Sequence, residues 1–178
     1  MEIRIRPARL DELEGLARVE HEADRRFGAV GIDVIVDAPH PTVADYAQAQ
    51  RGGRILVAEL PSGAPAGFVR IEIVDETAHL EQVRVLPNHA GHGVGRALVA
   101  AAEDLAFRYG HARMTLTTFS DVPWNGPYYQ RLGWEVLAED DLGPQLRAIR
   151  DHERASGLEV QPRQAMAKAL SPSGALTL

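Results

Sequence analysis

Strand-like and helix-like periods alternate along the 178 residues of this chain. They predict an α/β fold: a single domain with a mixed, mostly antiparallel twisted sheet of about six to seven strands, flanked by helices. Three observations carry that expectation. Short alternating or β-branched apolar runs recur between clusters of Gly, Pro, Asn and Asp. Longer stretches between them place apolar residues at three- and four-residue spacing, the period of a helix with one buried face. The composition, 45% hydrophobic and 25% charged, supports a substantial core, and the length is slightly above that of one average domain.

Residues 2–7 alternate Ile3 and Ile5 with Arg4 and Arg6, as a strand with one buried face does. Leu10, Leu13, Leu16, Ala17, Ala23 and Phe27 then recur at helical spacing, predicting a first helix over 11–27 with Glu20 inside its apolar stripe. A carboxylate there is either paired near the helix end or faces a polar cavity. Residues 28–40 read as loop, and Pro41 with Thr42 opens a short helix to about residue 50, stopped by Gly52 and Gly53. Two apolar runs, 54–60 and 67–74, are joined by Pro61, Ser62, Gly63, Ala64 and Pro65 as a hairpin. A third run, 79–85, follows a turn at Asp75 and Glu76, so strands two to four are expected as an antiparallel meander.

Residues 87–95 form a loop with glycines at 91, 93 and 95, followed by a helix over 96–109 that Gly110 closes. The next strand is 114–119, and a helix joining two strands of one sheet favours a parallel crossover here. A short helix over 125–132, a strand over 134–137, a helix over 143–156 and a last strand over 161–170 complete the set. Leu142, Leu146 and Ile149 share one side of that last helix. The domain is expected over 1–170 with 171–178 as a flexible tail.

Composition excludes several classes. The 19 Lys+Arg and 25 Asp+Glu give a net charge of −6, which disfavours nucleic acid as a partner and leans toward cationic or amine ligands. No apolar run approaches the roughly 18 residues of a membrane helix, so no membrane partner is expected. No secretory signal is visible at the start. The absence of cysteine removes disulfides, Cys-ligated zinc and thiol nucleophiles, and is compatible with a cytoplasmic location. His79, His89, His92 and His111 lack the spacing of a helical metal pair and read as surface or loop histidines, so no metal is expected.

Most of the chemistry lies in residues 80–99. A strand runs through Pro87, Asn88, His89 and Ala90 into Gly91, His92, Gly93, Val94 and Gly95, then a helix. Glycines at such a junction let backbone approach a ligand, and N–H groups aimed outward at a helix start cradle a phosphate or pyrophosphate. A tight turn would use the same glycines for their dihedrals alone. G-x-x-x-x-G-K-[ST] is absent, G-x-G-x-x-G counted from Gly91 and Gly93 ends on Arg96, and G-x-S-x-G is absent. P-loop hydrolases, dinucleotide binders and the commonest serine hydrolases are disfavoured accordingly.

Val83-Arg84-Val85-Leu86-Pro87, followed by Gly91-His92-Gly93-Val94-Gly95-Arg96-Ala97-Leu98-Val99, resembles the acetyl-coenzyme A loop and helix of the GNAT superfamily of N-acetyltransferases. About thirty residues on, Asn125-Gly126-Pro127-Tyr128-Tyr129-Gln130-Arg131-Leu132-Gly133-Trp134 is similar to the family's N-x-x-x-x-Y-x-x-L-G-[FW] segment. The similarity covers residues 3–137. One departure stands out: Ala90 occupies the place where the family loop usually begins with Arg or Gln. The backbone cradle over 91–96 does not need that side chain, and Arg96 or His92 are the candidates to supply charge instead.

The resemblance implies acetyl-CoA (acetyl-coenzyme A) as cosubstrate, no metal, and direct acetyl transfer through a ternary complex to a primary amine on a small-molecule or peptide acceptor. It implies Glu81 as base, with Glu72 as second candidate, and Tyr129 as the acid that protonates the departing thiolate. Val83, Val85, Gly91, His92, Gly93, Val94, Gly95, Arg96 and Asn125 are implied as cofactor-binding. Beside these stand plainer readings: Glu81 as a solvated carboxylate, Tyr129 as a core tyrosine, and Asn125 as an N-cap. Glu20, the loop 28–40 and the segment beyond 137 are expected on the acceptor side. Trp124 either walls that site or packs under its loop. Arg147, Arg150 and Arg154 either bind an acceptor carboxylate or form a solvated helix face paired with Asp151 or Glu153. A homodimer is a common assembly in this superfamily. The alternative function is a non-catalytic coenzyme A binding sensor or interaction module, supported by Ala90.

Overall fold

The computed structural model describes residues 2–39 and 41–172, and seven strands there join into one sheet. They are β1 (Arg4–Pro7), β2 (Ile55–Glu59), β3 (Pro65–Val74), β4 (Thr77–Val85), β5 (Arg113–Phe119), β6 (Glu135–Val136) and β7 (Arg163–Ala169), in the spatial order β1-β2-β3-β4-β5-β7-β6. Every neighbouring pair is antiparallel except β4 with β5. The expected meander and the expected parallel crossover are both present. The helices are α1 (Leu13–Asp24), α2 (Asp33–Val36), α3 (Val43–Arg51), α4 (Val94–Arg108), α5 (Gly126–Arg131) and α6 (Pro144–Ala155), with α4 making the crossover.

The sheet is covered on both faces. Leu56, Ala58, Ile71, Ala78, Leu80, Met114 and Leu116 pack against Leu98, Val99, Ala102 and Ala106 of α4. On the opposite face Ile55, Val57 and Phe68 meet Leu13, Leu16 and Val19 of α1 and Tyr46 and Ala49 of α3. Leu146 of α6 extends that layer with Leu142 onto Val74 and Ala165. Ile55 to Ala58 are therefore buried from both sides, which is why β2 reads as an unbroken apolar run.

Several boundaries move for local reasons. The helix expected over 11–27 is α-helical only as α1, with 3-10 turns at Leu10–Glu12 and Arg25–Val30. At its start Glu12 accepts bonds from Arg6 and from the backbone N–H of Arg9. At its end the tightened turn carries Phe27 into a cluster with Ile32, Phe119 and Val122. The expected loop 28–40 contains α2. The crossover helix begins at Val94 rather than 96, because Gly93 adopts φ 84° and caps it. Asp75 and Glu76 both have positive φ, 50° and 59°, which closes the β3–β4 turn in two residues and starts β4 at Thr77. The tail expected over 171–178 falls, for residues 173–178, outside the described residues.

Two irregularities shape the site. In the β3–β4 pairing Arg70 faces Gln82 and Ile71 faces Leu80, so Glu81 is an extra residue, a β-bulge. The bulge reverses side-chain parity: Ala78 and Leu80 join the α4-side cluster before it, and Val83 and Val85 join the same cluster after it. Gln82 and Arg84 consequently point toward α1. Secondly, β4 pairs with β5 only at Ala78 with Met114 and His79 with Thr115. Beyond those two pairs the strands part.

Candidate active site

The parted strands leave a cleft of about 1090 Å³. One wall is β4 from Leu80 to Val85 with the loop that follows; the other is the end of β5 with Trp124, Asn125, Tyr128 and Tyr129. The end of α1 and residues from the turn after it close the cleft on the acidic side.

At the loop end, Gly91 and Gly93 adopt φ 78° and 84°, the left-handed region that L side chains avoid, and a Cβ at either would meet nothing within 4 Å. Their role is dihedral, and the space before them is open. The first turn of α4 carries no acidic residue, and no side chain bonds its free N–H groups, so it presents donors and the positive end of the helix dipole. At Gly95 an added Cβ would sit 3.3 Å from Tyr128 Oη, so this glycine serves close packing. The Val94 side chain is buried in the core, leaving only its backbone for a ligand. Arg96 and His92 are exposed, and Arg96 lines the cleft. Val83 and Val85 turn their side chains to the core while their strand borders the gap. These features fit an anionic pyrophosphate with an extended arm, and they do not depend on a side chain at Ala90.

The opposite end is dense with charge. Glu20, 8% exposed, accepts a bond from the Tyr46 hydroxyl and one from Gln82 Nε2 at 2.5 Å, with Arg84 Nη2 at 3.8 Å. Both readings of Glu20 hold: it is paired, and it lines a polar cleft. Arg84 Nε lies 2.8 Å from Asp24 Oδ1. Burial pushes the Asp24 carboxyl up to about 6, against the pull of Arg84 and with the help of Glu20. Burial lifts the Arg26 guanidinium out of water and, with Arg84 nearby, lowers its pKa. Tyr129 lies between the core and the cleft, its ring 5.9 Å from that of Trp134. Burial first, and then Tyr128, hold its hydroxyl well above the usual tyrosine range, so it is protonated at neutral pH.

Glu81, the bulge residue, has a side chain 34% exposed, with Arg70 Nη2 at 3.4 Å and His79 Nε2 at 3.8 Å. His79 corrects the surface reading: it is 1% exposed, and its Nδ1 lies 2.9 Å from Thr115 Oγ1. Burial lowers its pKa, so the ring is neutral beside Glu81. Asn125 holds the N-cap position of α5, but its side chain makes no cap bond; Nδ2 donates to Thr118 Oγ1 at 2.7 Å, and Oδ1 is buried without a partner. Trp124 lines the cleft beneath the Arg26 guanidinium.

Glu20, Glu81, Val83, Val85, Gly91, Gly93, Gly95, Arg96, Trp124, Asn125 and Tyr129 thus line one cleft. Glu72 is not among them and is ion-paired to Arg54 at 2.7 Å. The three arginines of α6 are engaged elsewhere. Arg147 donates to the carbonyls of Glu139 and Leu142, and Arg154 pairs with Asp151 and Glu139. Arg150 is 2% exposed, pairing with Glu153 and Glu159, so it is neither solvated nor free for an acceptor. Asp24, Arg26, Gln82 and Arg84 were not singled out as site residues from the sequence. Asp24 was legible, being four residues from Glu20 on one helix face. Gln82 and Arg84 were legible only as the polar alternates of Val83 and Val85, and their direction depends on the bulge.

A family model described as the acetyltransferase (GNAT) family matches residues 16–134. A mycothiol acetyltransferase from Geodermatophilus obscurus is 34% identical over 85 residues, covering 47% of this chain and 27% of that protein. The N-acetylglutamate synthase of Neisseria gonorrhoeae, solved with coenzyme A and N-acetyl-glutamate, superposes with a TM-score of 0.71 at 18% identity, over 96% of this chain and 36% of that one. A GNAT-family acetyltransferase from Staphylococcus aureus Mu50 superposes with a TM-score of 0.73 at 11% identity, over 96% of this chain and 100% of that one. At these identities the two structures show a shared fold. This chain spans about a quarter of the length of the mycothiol enzyme, 27%, so the likeness concerns one region of that protein. With the family model running from the first turn of α1 to Trp134, across the glycine loop and the Tyr129 segment, the chain belongs to the GNAT acetyltransferase family.

Proposed function

We propose that this protein is an acetyl-CoA dependent N-acetyltransferase that moves the acetyl group directly to a primary amine in a ternary complex. The observation that carries this reading is the parting of β4 from β5, which puts an anion cradle and a protonated tyrosine on one continuous cleft.

When bound, acetyl-CoA supplies the activated acetyl group and a thiolate leaving group. The backbone N–H groups at 91–96 would hold its pyrophosphate, with Arg96 at the rim, and the open edge of β4 at Val83 and Val85 its pantetheine arm. Asn125 Oδ1, buried without a partner, is an acceptor available to an amide of that arm. Glu81 accepts a proton from the incoming ammonium, directly or through water, since only a neutral amine is a nucleophile. Arg70 Nη2 lies 3.4 Å from Glu81, and the neutral His79 adds no second cation beside it. Tyr129 keeps its proton until the thiolate leaves and then donates it, and the second N–H proton, lost as the amide forms, restores it directly or through water. Glu20 and Trp124 border the acceptor end. A cytoplasmic location and a small-molecule or peptide amine partner accompany this reading.

Calorimetric titration with acetyl-CoA, with NAD and ATP as controls, tests it. Binding of the thioester alone, followed by thiol release on adding amines, is the expected result. Binding without release by any amine would favour a coenzyme A sensor, and no binding by folded protein would remove the reading.

A further inference from the structure

Arg26 lies two residues past the end of α1 and lines the cleft close to Asp24, Arg84 and Tyr129. Its guanidinium carbon lies 4.1 Å from the centroid of the Trp124 ring, a cation laid on an indole face. Among the described residues no carboxylate forms an ion pair with it, and its sequence neighbour Asp24 is held by Arg84 at 2.8 Å. A guanidinium keeps its proton at any physiological pH, so the cleft contains a half-buried cation that no carboxylate among the described residues ion-pairs, although Asp24 acts on it through space. An anion beside it would offset the desolvation that burial imposes.

Of the other arginines here, Arg131 lines the cleft too, near the Tyr128 ring and donating to the Pro123 carbonyl at 3.5 Å, while the rest are ion-paired or bound to carbonyls. Arg84 is taken by Asp24, and Arg163 by Glu153 at 2.7 Å. The three arginines of α6 are bound to carbonyls or carboxylates, as described above. Nor does Arg26 belong to the glycine cradle: it is anchored through Trp124 to the segment after β5, whereas the cradle follows β4. The same part of the cleft carries Glu20, Asp24 and Glu81. A site with acidic groups for an ammonium and, on Trp124, a guanidinium without a carboxylate partner suits a ligand bearing both charges.

We propose that the acceptor is an amino acid with a free carboxylate, and that Arg26, stacked on Trp124, binds that carboxylate while the acidic wall receives the amine. The inference rests on the acetyltransferase reading above and narrows its substrate class.

The test uses the intact protein and matched pairs: tryptophan and tryptamine, tyrosine and tyramine, histidine and histamine, lysine and cadaverine. Thiol release from acetyl-CoA gives kcat/KM for each member. Calorimetry compares each N-acetyl amino acid with its amide as product-side ligands. The wild-type protein is expected to prefer the carboxylate member of at least one pair by about ten- to a hundredfold, the worth of one charge-assisted hydrogen bond. Arg26→Gln is expected to abolish that preference and Arg26→Lys to restore part of it, with acetyl-CoA affinity unchanged. Arg26→Met, which keeps an apolar stem on Trp124, replaces the glutamine variant if that one is unstable.

Equal rates within every pair, or a preference that survives loss of the guanidinium, would overturn the proposal. A fall in acetyl-CoA affinity would overturn it too, by assigning Arg26 to the cofactor. If no amine releases thiol, the transfer reading fails separately, and calorimetry still decides the inference. Loss in Arg26→Gln of a wild-type preference for the N-acetyl amino acid over its amide supports it; no such preference, or no binding of either ligand, defeats it.

Discussion

Arg84 Nε lies 2.8 Å from Asp24 Oδ1, tying β4 to the last residue of α1, yet both atoms are buried without a hydrogen bond. Burial outweighs the charge and the side-chain contact by which Arg84 lowers the Asp24 pKa. Asp24 is also beside Glu20, which adds to that rise. These conditions raise its pKa despite the arginine.

A pH dependence of stability follows. The folded carboxyl titrates at about 6, above its ordinary 3.8. Between those values the native state holds more protons than the unfolded chain, so this group makes the protein less stable as pH rises through the window. Full titration is worth about 3 kcal/mol. The unfolding free energy of Asp24→Asn minus that of the wild type is expected to increase between pH 4 and pH 7, as measured by urea denaturation. A constant difference would mean that folding does not raise the Asp24 pKa.

Replacing Gly93 tests the cradle. Its φ of 84° costs an L residue about 1–2 kcal/mol, although no neighbour obstructs a Cβ. Gly93→Ala is expected to lose about that much stability and to bind acetyl-CoA more weakly, read by thermal melting and calorimetry. Unchanged affinity in the folded variant would count against the cradle.

Tyr129→Phe keeps the ring against Trp134 and removes only the hydroxyl. The expected loss is about a hundredfold or more in kcat, the range of a positioned acid, with acetyl-CoA affinity retained. Because burial holds this hydroxyl above the ordinary tyrosine range, thiol release should show no alkaline loss from its ionisation up to pH 9. A Tyr129→Phe enzyme with full kcat would leave the tyrosine a packing role.

Arg150 offers the contrasting case of a structural arginine. Its loss leaves Glu153 buried with only Arg163 and Thr117 as partners. Arg150→Ala is expected to destabilise by about 3 kcal/mol, seen by denaturant unfolding, and to leave the acceptor KM of the remaining folded enzyme unchanged. A raised acceptor KM would reassign Arg150 to the substrate.

Local chemistry alone determined much of this protein. The alternation of Ile3 and Ile5 with Arg4 and Arg6, the apolar run of β2 and the helical spacing after Gly95 each follow from a period set by neighbours in the chain. The glycines at 91 and 93 were legible for the same reason, since a positive φ restricts one residue at a time. Tertiary structure decided what no local window contains. The bulge at Glu81 turns Gln82 and Arg84 toward α1, because one extra residue in a strand exchanges its two faces. The short pairing of β4 with β5 opens the cleft, and whether two strands stay paired depends on chain far from both. His79 and Arg150 are buried because the sheet and α6 close over them, while Arg26 lies over Trp124, nearly a hundred residues away in the chain. A side chain's partners, and therefore its charge environment, come from which segments meet in space.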